Sequence, residues 1–379
     1  MHLFEELQEL RRTIHSDPEV AHTEERTAAR IVEFIERARP DRVVTGIGGH
    51  GVVAEFVGEA AGPTLLFRAE LDALPIKERG DIPHKSKTDG VAHVCGHDGH
   101  MTTLAGLARR VGERRPKRGR VVCLFQPAEE VGEGAALVVA DPKFEPFRFD
   151  YGFALHNLPG YPFGEVVVKD GPFAAASKGL IVELTGETSH ASEPEKGVSP
   201  ALAMAELVAA IAKSPSEPGY RDFALATVIH ARLGEVAFGT SPGEATVMAT
   251  LRAYLDEDVA TLNDRAIEAA TRLAERDGLR TATRHTEEFP ATVNAPEAAD
   301  LVRRAARETN RGIVEVETPF RWSEDFGVFG AIGATAFFGV GSGERQPALH
   351  NGTFDYPDDL LPVGVELFVN IIKDTLGEA

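Results

Sequence analysis

A chain of 379 residues that is 43% hydrophobic can fill two full cores, or one large domain with an insertion. Its formal charge of −19, spread along the chain, argues against nucleic acid or an anionic membrane as partner. No apolar run approaches the ~20 residues of a membrane span, and Met1-His2-Leu3-Phe4-Glu5-Glu6 opens an amphipathic helix and not a signal peptide, so a cytoplasmic protein is expected.

In chain order, residues 3–38 predict two helices broken at Asp17-Pro18. Two strands follow, Gly51–Val57 and Thr64–Phe67. The run Gly46-Ile47-Gly48-Gly49-His50-Gly51 matches the spacing of a dinucleotide loop, but a strand follows it where that loop requires a helix, so it reads as a turn. Cys95-Gly96-His97-Asp98-Gly99-His100 leads into a helical pattern beginning Met101-Thr102. The basic cluster between Arg109 and Arg120 reads as a solvated helix end and loop. A buried strand at Val121–Phe125 leads to Glu129-Glu130, a strand at Tyr151–Leu155 leads to His156, and a late strand at Ala334–Val340 leads towards His350.

Short apolar strands alternating with helices predict an α/β fold, a mixed sheet covered by helices on both faces. Its polar candidates lie beyond the C-terminal ends of the strands, where such sheets place their sites. From about Lys178 the pattern changes to strand, helix, strand, strand, helix (Leu180–Leu184, Pro200–Ala212, Ala224–Leu233, Glu244–Tyr254, Val259–Asp277). That predicts an inserted ferredoxin-like α+β domain at 177–283, with a discontinuous catalytic domain at 1–176 and 284–379.

Two cysteines make no disulfide framework, and Cys123, inside an apolar strand, reads as an inert buried thiol. Cys95 differs, because a thiol and two imidazoles within six residues are the donors a borderline-soft divalent metal prefers. Asp72, in Arg68-Ala69-Glu70-Leu71-Asp72-Ala73-Leu74-Pro75, is placed to orient a metal-ligating histidine. Glu129 and Glu130 divide labour beside a metal: Glu130 is assigned to the metal and Glu129 to the proton taken from water. Leu155-His156-Asn157 and Leu349-His350-Asn351 repeat one local context after an apolar strand. With Cys95, His97 and Glu130, the two histidines complete a five-ligand set, which suits two ions better than one tetrahedral zinc. His100 points into the following helix and reads as structural.

These residues, with Arg11–Glu19, Ser189-His190-Ala191, Phe289–Asn294 and Ser323-Glu324-Asp325-Phe326, resemble the amidohydrolase branch of the aminoacylase and carboxypeptidase superfamily of two-metal exopeptidases over nearly the whole chain. That branch includes hippurate hydrolases, auxin-conjugate hydrolases and N-acetyldiaminopimelate deacetylases. The resemblance implies that Cys95, His97, Glu130, His156 and His350 bind two divalent metal ions (Zn²⁺ or Mn²⁺). It implies that Glu129 activates the attacking water and that His190 stabilises the oxyanion. It places Arg252 and Asn157 at the substrate and implies a homodimer through the inserted domain. The implied reaction is hydrolysis of an N-acyl amino acid or a related small amide; a dipeptidase or carboxypeptidase using the same site is the alternative, and a non-catalytic metal-binding relative the third reading.

Two departures stand out. The family's Arg-Ala-Asp-x-Asp reads Arg68-Ala69-Glu70-Leu71-Asp72, and its Asn-Val-Ile-Pro-Asp is replaced by Gly239-Thr240-Ser241-Pro242-Gly243, which removes an asparagine that helps hold substrate.

Overall fold

The computed structural model describes residues 3–377, so Met1 and His2, taken above with the first helix, lie outside the described residues. The chain divides into two units. The larger comprises residues up to Phe173, Thr292–Pro319 and Glu324 onward; the smaller comprises Ala174–Ala291 and Phe320–Ser323.

The larger unit is built on an eight-stranded mixed sheet. Its order is Arg42–Ile47, Gly51–Val57, Arg118–Gln126, Ala60–Glu70, Tyr151–Pro159, Ala334–Gly343, Val166–Val168, Ile313–Glu315. The four central strands, from Arg118–Gln126 to Ala334–Gly343, run parallel and are buried on both faces. Continuous apolar runs such as Leu65-Leu66-Phe67 are what two-sided cover demands. One face, with Phe67, Phe153 and Phe338, packs under the long helices α1 (Leu3–Ser16), α2 (Glu25–Glu36) and α3 (His97–Glu113) and under the final helix Leu361–Leu376. On the other face Phe337 packs at a tilt against Phe326, ring centroids 5.8 Å apart, from the short helix Asp325–Ala331. The glycine-rich run at 46–51 is a turn between antiparallel strands, Arg42–Ile47 and Gly51–Val57, and binds no helix start. Among the described residues, no helix is long and apolar enough to cross a membrane.

Two predicted elements stop short of the observed ones. The strand through Leu155 continues to Pro159, so His156 and Asn157 lie within it. Helix α3 begins at His97 and not after the Cys/His loop, so a candidate ligand occupies its first turn.

The smaller unit holds a four-stranded antiparallel sheet in the order Ala224–Leu233, Glu244–Ala253, Ala176–Thr185, Arg280–Phe289, packed by helices Ala201–Lys213 and Asp256–Asp277. The last strand completes a β-α-β-β-α-β unit and extends this unit beyond the expected boundary at 283. It is an edge strand rich in Arg, Thr and Glu and largely exposed, so it carries no apolar alternation to announce it.

Helix α1 is fastened to α3 by charge. Arg11 and His15, one turn apart and fully buried, both bond Asp98 Oδ2, at 3.0 and 2.8 Å. His15 Nε2 meets Glu78 Oε1 at 3.2 Å, and Arg11 also pairs with Asp355 and Asp358. Burial opposes a charge on His15, but Asp98 and Glu78 overcome it and hold the imidazole up at about 9. A raised folded-state pKa contributes stability that is complete below the unfolded value near 6.5 and is lost as pH rises through about 9. The urea midpoint is therefore expected to fall as pH is raised across that window, and His15→Gln to flatten the fall. An equal fall in the variant would assign the effect to another group.

Candidate metal centre

The parallel register of the central strands sets the site. Ala60–Glu70 exits at Asp72, Arg118–Gln126 exits at Glu129-Glu130, Tyr151–Pro159 carries His156 near its end, and Ala334–Gly343 exits towards His350. All open on one edge, and the turn before α3 adds Cys95 and His97. Gly96 makes that turn possible: its φ is +103°, and a Cβ there would sit 2.1 Å from Asn157 Oδ1. Gly99 serves close packing, since a Cβ would lie 2.3 Å from the Tyr356 ring.

The five candidate ligands converge. Cys95 Sγ lies 3.4 Å from His156 Nε2. His97 Nε2 is 3.7 Å from both Glu129 Oε2 and Glu130 Oε1, and His350 Nε2 is 3.7 Å from Glu130 Oε2. Cys95, His97 and His156 form one group whose donor atoms lie within 4.8 Å of one another, and Cys95, Glu130 and His350 form a second. Cys95 belongs to both groups, an arrangement suited to two neighbouring cations.

The surroundings test whether cations fit. Main-chain carbonyls accept from Nδ1 of both inner histidines, that of Asp72 from His97 and that of Asn157 from His156, each at 2.9 Å. This fixes the hydrogen on Nδ1 and turns Nε2, the nitrogen left to ligate, into the cluster. His97 Nε2 and Glu130 Oε1 are buried and make no hydrogen bond. Burial and the Glu130 charge push the Cys95 thiol up; burial, with Glu324 and Glu130 beside it, holds Glu129 well above the ordinary carboxyl range. Burial raises Glu130 to about 7 against the pull of His97. A thiol and two carboxyls crowded together out of water form a donor set that divalent cations would neutralise. The residues fit the group.

Asp72 orients His97, but through its carbonyl; its carboxylate Oδ1 stands 3.7 Å from Nδ1 while Oδ2 accepts from the Glu130 N–H at 2.9 Å. Asn157 is fully buried; its N–H donates to His100 Nε2 at 3.2 Å, and its side-chain amide lies 2.6 Å from the same nitrogen. That is an internal support, beside the substrate contact expected for it. His100 is structural, with Nδ1 on Glu70 Oε2 at 2.8 Å. His190 and Arg252 belong to the smaller unit. His190 is exposed on the two-residue strand Ser189–His190, paired with Thr240–Ser241, and its Nδ1 accepts from the Ser192 N–H at 3.2 Å. Arg252 donates to the Arg321 carbonyl and to Ser323 Oγ, each at 2.6 Å, and burial lowers its pKa.

A buried charge cluster lies behind the acids, and no role for it is apparent in the sequence. Arg68 pairs with Glu70, Glu324 and Asp325, and Gln126 donates to Asp325. Adjacent motifs held these residues, but nothing local says that positions 68 and 325 meet.

A family model described as peptidase family M20/M25/M40 matches residues 66–374. The hippurate hydrolase of Campylobacter jejuni is 30% identical over 94% of this chain and 93% of its own length. The N-acetyl-L-cysteine deacetylase of Bacillus subtilis is 30% identical over 87% of this chain and 79% of its own. Among solved structures, the YxeP protein of Bacillus subtilis, described as a dinuclear metal-binding peptidase of the M20 family, superposes with a TM-score of 0.83 at 25% identity, covering 99% of this chain and 98% of its own.

Proposed function

The chain belongs to peptidase family M20/M25/M40, and from that premise we propose that it hydrolyses the acyl–nitrogen bond of small N-acyl amino acids. Membership makes it a metal-dependent hydrolase of C–N amide bonds. The observation that carries the finer reading is the convergence of Cys95, His97, Glu130, His156 and His350 around Glu129.

In this reading those five residues would hold two divalent cations, and a thiolate among them favours zinc over manganese. When bound, the cations polarise the amide carbonyl and acidify water. Glu129 takes a proton from the water as its oxygen attacks the acyl carbon, then gives it to the leaving nitrogen as the C–N bond breaks. His190 donates to the carbonyl oxygen as it gains charge. Its Nδ1 accepts from Ser192, which leaves the hydrogen of the neutral ring on Nε2 as the donor.

The reading includes a homodimer through the smaller unit, supported by the edge strand Ala224–Leu233, which leaves Leu225 and Ile229 exposed. It also includes a reducing, cytoplasmic setting, supported by Cys95 and Cys123, both buried and unpaired. A dipeptidase is the second reading. It is favoured by Gly239, where a Cβ would meet nothing within 4 Å and the resembling family carries asparagine.

The test is a panel of N-acetyl and N-benzoyl amino acids against dipeptides, run with chain reloaded with Zn²⁺ or Mn²⁺. Acyl amino acids are expected to lead in kcat/KM by about tenfold or more, the range that differences in a few pocket contacts produce. Dominant dipeptide turnover would establish the second reading. A folded, metal-loaded chain that turns over neither would establish a binding protein.

A further inference from the structure

Glu129 and Glu130 follow a strained residue. Ala128 has φ +52°, in the left-handed region that a non-glycine residue enters only at a cost. Its carbonyl accepts from the Glu133 and Gly134 N–H groups at 3.3 and 3.0 Å. Its own N–H is donated to Glu24 Oε1 at 2.8 Å, across 104 residues of sequence.

Glu24 is unusual in its own place. It stands at the N-cap of α2, but its side chain bonds none of the free N–H groups of its helix. Glu19 takes that role, accepting from the Thr27 N–H at 2.7 Å and from Thr27 Oγ1 at 2.9 Å. Glu24 is fully buried, and its second oxygen, Oε2, has no hydrogen-bond partner. Keeping a carboxylate buried with one unsatisfied oxygen is expensive, so the bond made by the other oxygen must contribute. Besides Glu24, the turn is held from outside by Asp72, which accepts the Glu130 N–H.

We propose that Glu24 is a positioning residue for the metal centre: by accepting the Ala128 N–H it holds the left-handed turn that aims Glu129 at water and Glu130 at metal. The proposal rests on the hydrolase reading above for the role of Glu129, but its structural half, the aim of Glu130, is independent of turnover.

The test is a cycle of variants in the full chain, stripped with chelator and titrated with Zn²⁺ alone, then assayed on the best acyl amino acid. Glu24→Met fills the space without an acceptor. It is expected to weaken Zn²⁺ binding by about tenfold or more and to lower kcat similarly with KM little changed, the size of effect typical of residues that orient a ligand. Glu24→Gln keeps an acceptor and is expected to recover most of both. Glycine adopts the left-handed turn without strain, so in an Ala128→Gly background the loss caused by Glu24→Met, relative to that background, is expected to shrink to about threefold or less. If Glu24→Met does not fold, Glu24→Asp, which withdraws the acceptor by one methylene, takes its place in the cycle. Zn²⁺ affinity unchanged in the acceptor-less variant, or the same loss in both backgrounds, would overturn the proposal. If the wild-type chain turns over none of the amides, the hydrolase reading fails, and the Zn²⁺ titrations still decide the role of Glu24.

Discussion

Glu129→Gln is expected to keep its metals and lose turnover by about 10³-fold, the middle of the range for removing a general base. The amide is nearly isosteric with the carboxyl, so the turn and the five ligands are undisturbed. What disappears is the ability to hold a proton between water and the leaving nitrogen. Glu129 sits 3.7 Å from His97 Nε2, alongside Glu130, which shares that distance. It is out of water, so the cluster decides its protonation. Only the ionised carboxylate can accept a proton; without cations, burial among other acids disfavours that form, and neighbouring cations would favour it. The wild-type rate should therefore rise with pH through the pKa of Glu129, and this limb should vanish in the variant. Glu130→Gln should behave differently, losing metal along with activity. Elemental analysis beside kcat separates the two, and a Glu129→Gln enzyme within tenfold of wild type would remove Glu129 from the base role.

The second large effect is on stability. Arg68→Met is expected to cost about 3–5 kcal/mol, as when one partner of a buried ion cluster is removed and the others stay buried. Arg68 is essentially inaccessible and is the cation facing Glu70, Glu324 and Asp325. Glu70 depends on it most. Burial opposes its charge, yet Arg68 and His100 hold it well below the ordinary carboxyl range. Glu324 differs, since burial keeps it up at about 8 despite Arg68. In the variant the charge of Glu70 loses its main counterion. The consequence reaches the metal centre, because Glu70 holds His100, His100 holds Asn157, and Asn157 packs against the Gly96 turn. Urea unfolding checks the prediction. A loss below about 1 kcal/mol, the ordinary value of an exposed pair, would mean that Arg68 carries no such burden. Arg68→Lys should fall between, since an ammonium keeps the charge but cannot fork to three acids.

Much of the centre was legible in the sequence because its chemistry demands residue types. A thiol and imidazoles packed into Cys95–His100, a Glu pair after a buried strand and two Leu-His-Asn repeats have no comparable use in packing. Apolar runs such as Leu65–Phe67 and Val121–Phe125 announced the buried parallel strands for a similar reason, since two-sided burial leaves no polar alternation. The polar edge strand Arg280–Phe289 escaped because exposure removes that pressure.

By itself, then, the sequence determined the candidate ligand types and the α/β class, since each rests on local chemistry or local periodicity, and its motifs in order carried the family resemblance. Only the tertiary structure decided how those residues are held. The choice of the Asp72 carbonyl over its carboxylate, the withdrawal of Asn157 into the interior and the buried partnership of Arg68 with Asp325 all depend on which strands lie side by side. The left-handed Ala128, held by a glutamate 104 residues away, depends on it as well. The physical reason is shared: a carboxylate's partner, burial and pKa are set by what the sheet's register brings within a few ångströms, and separation along the chain carries no trace of that distance.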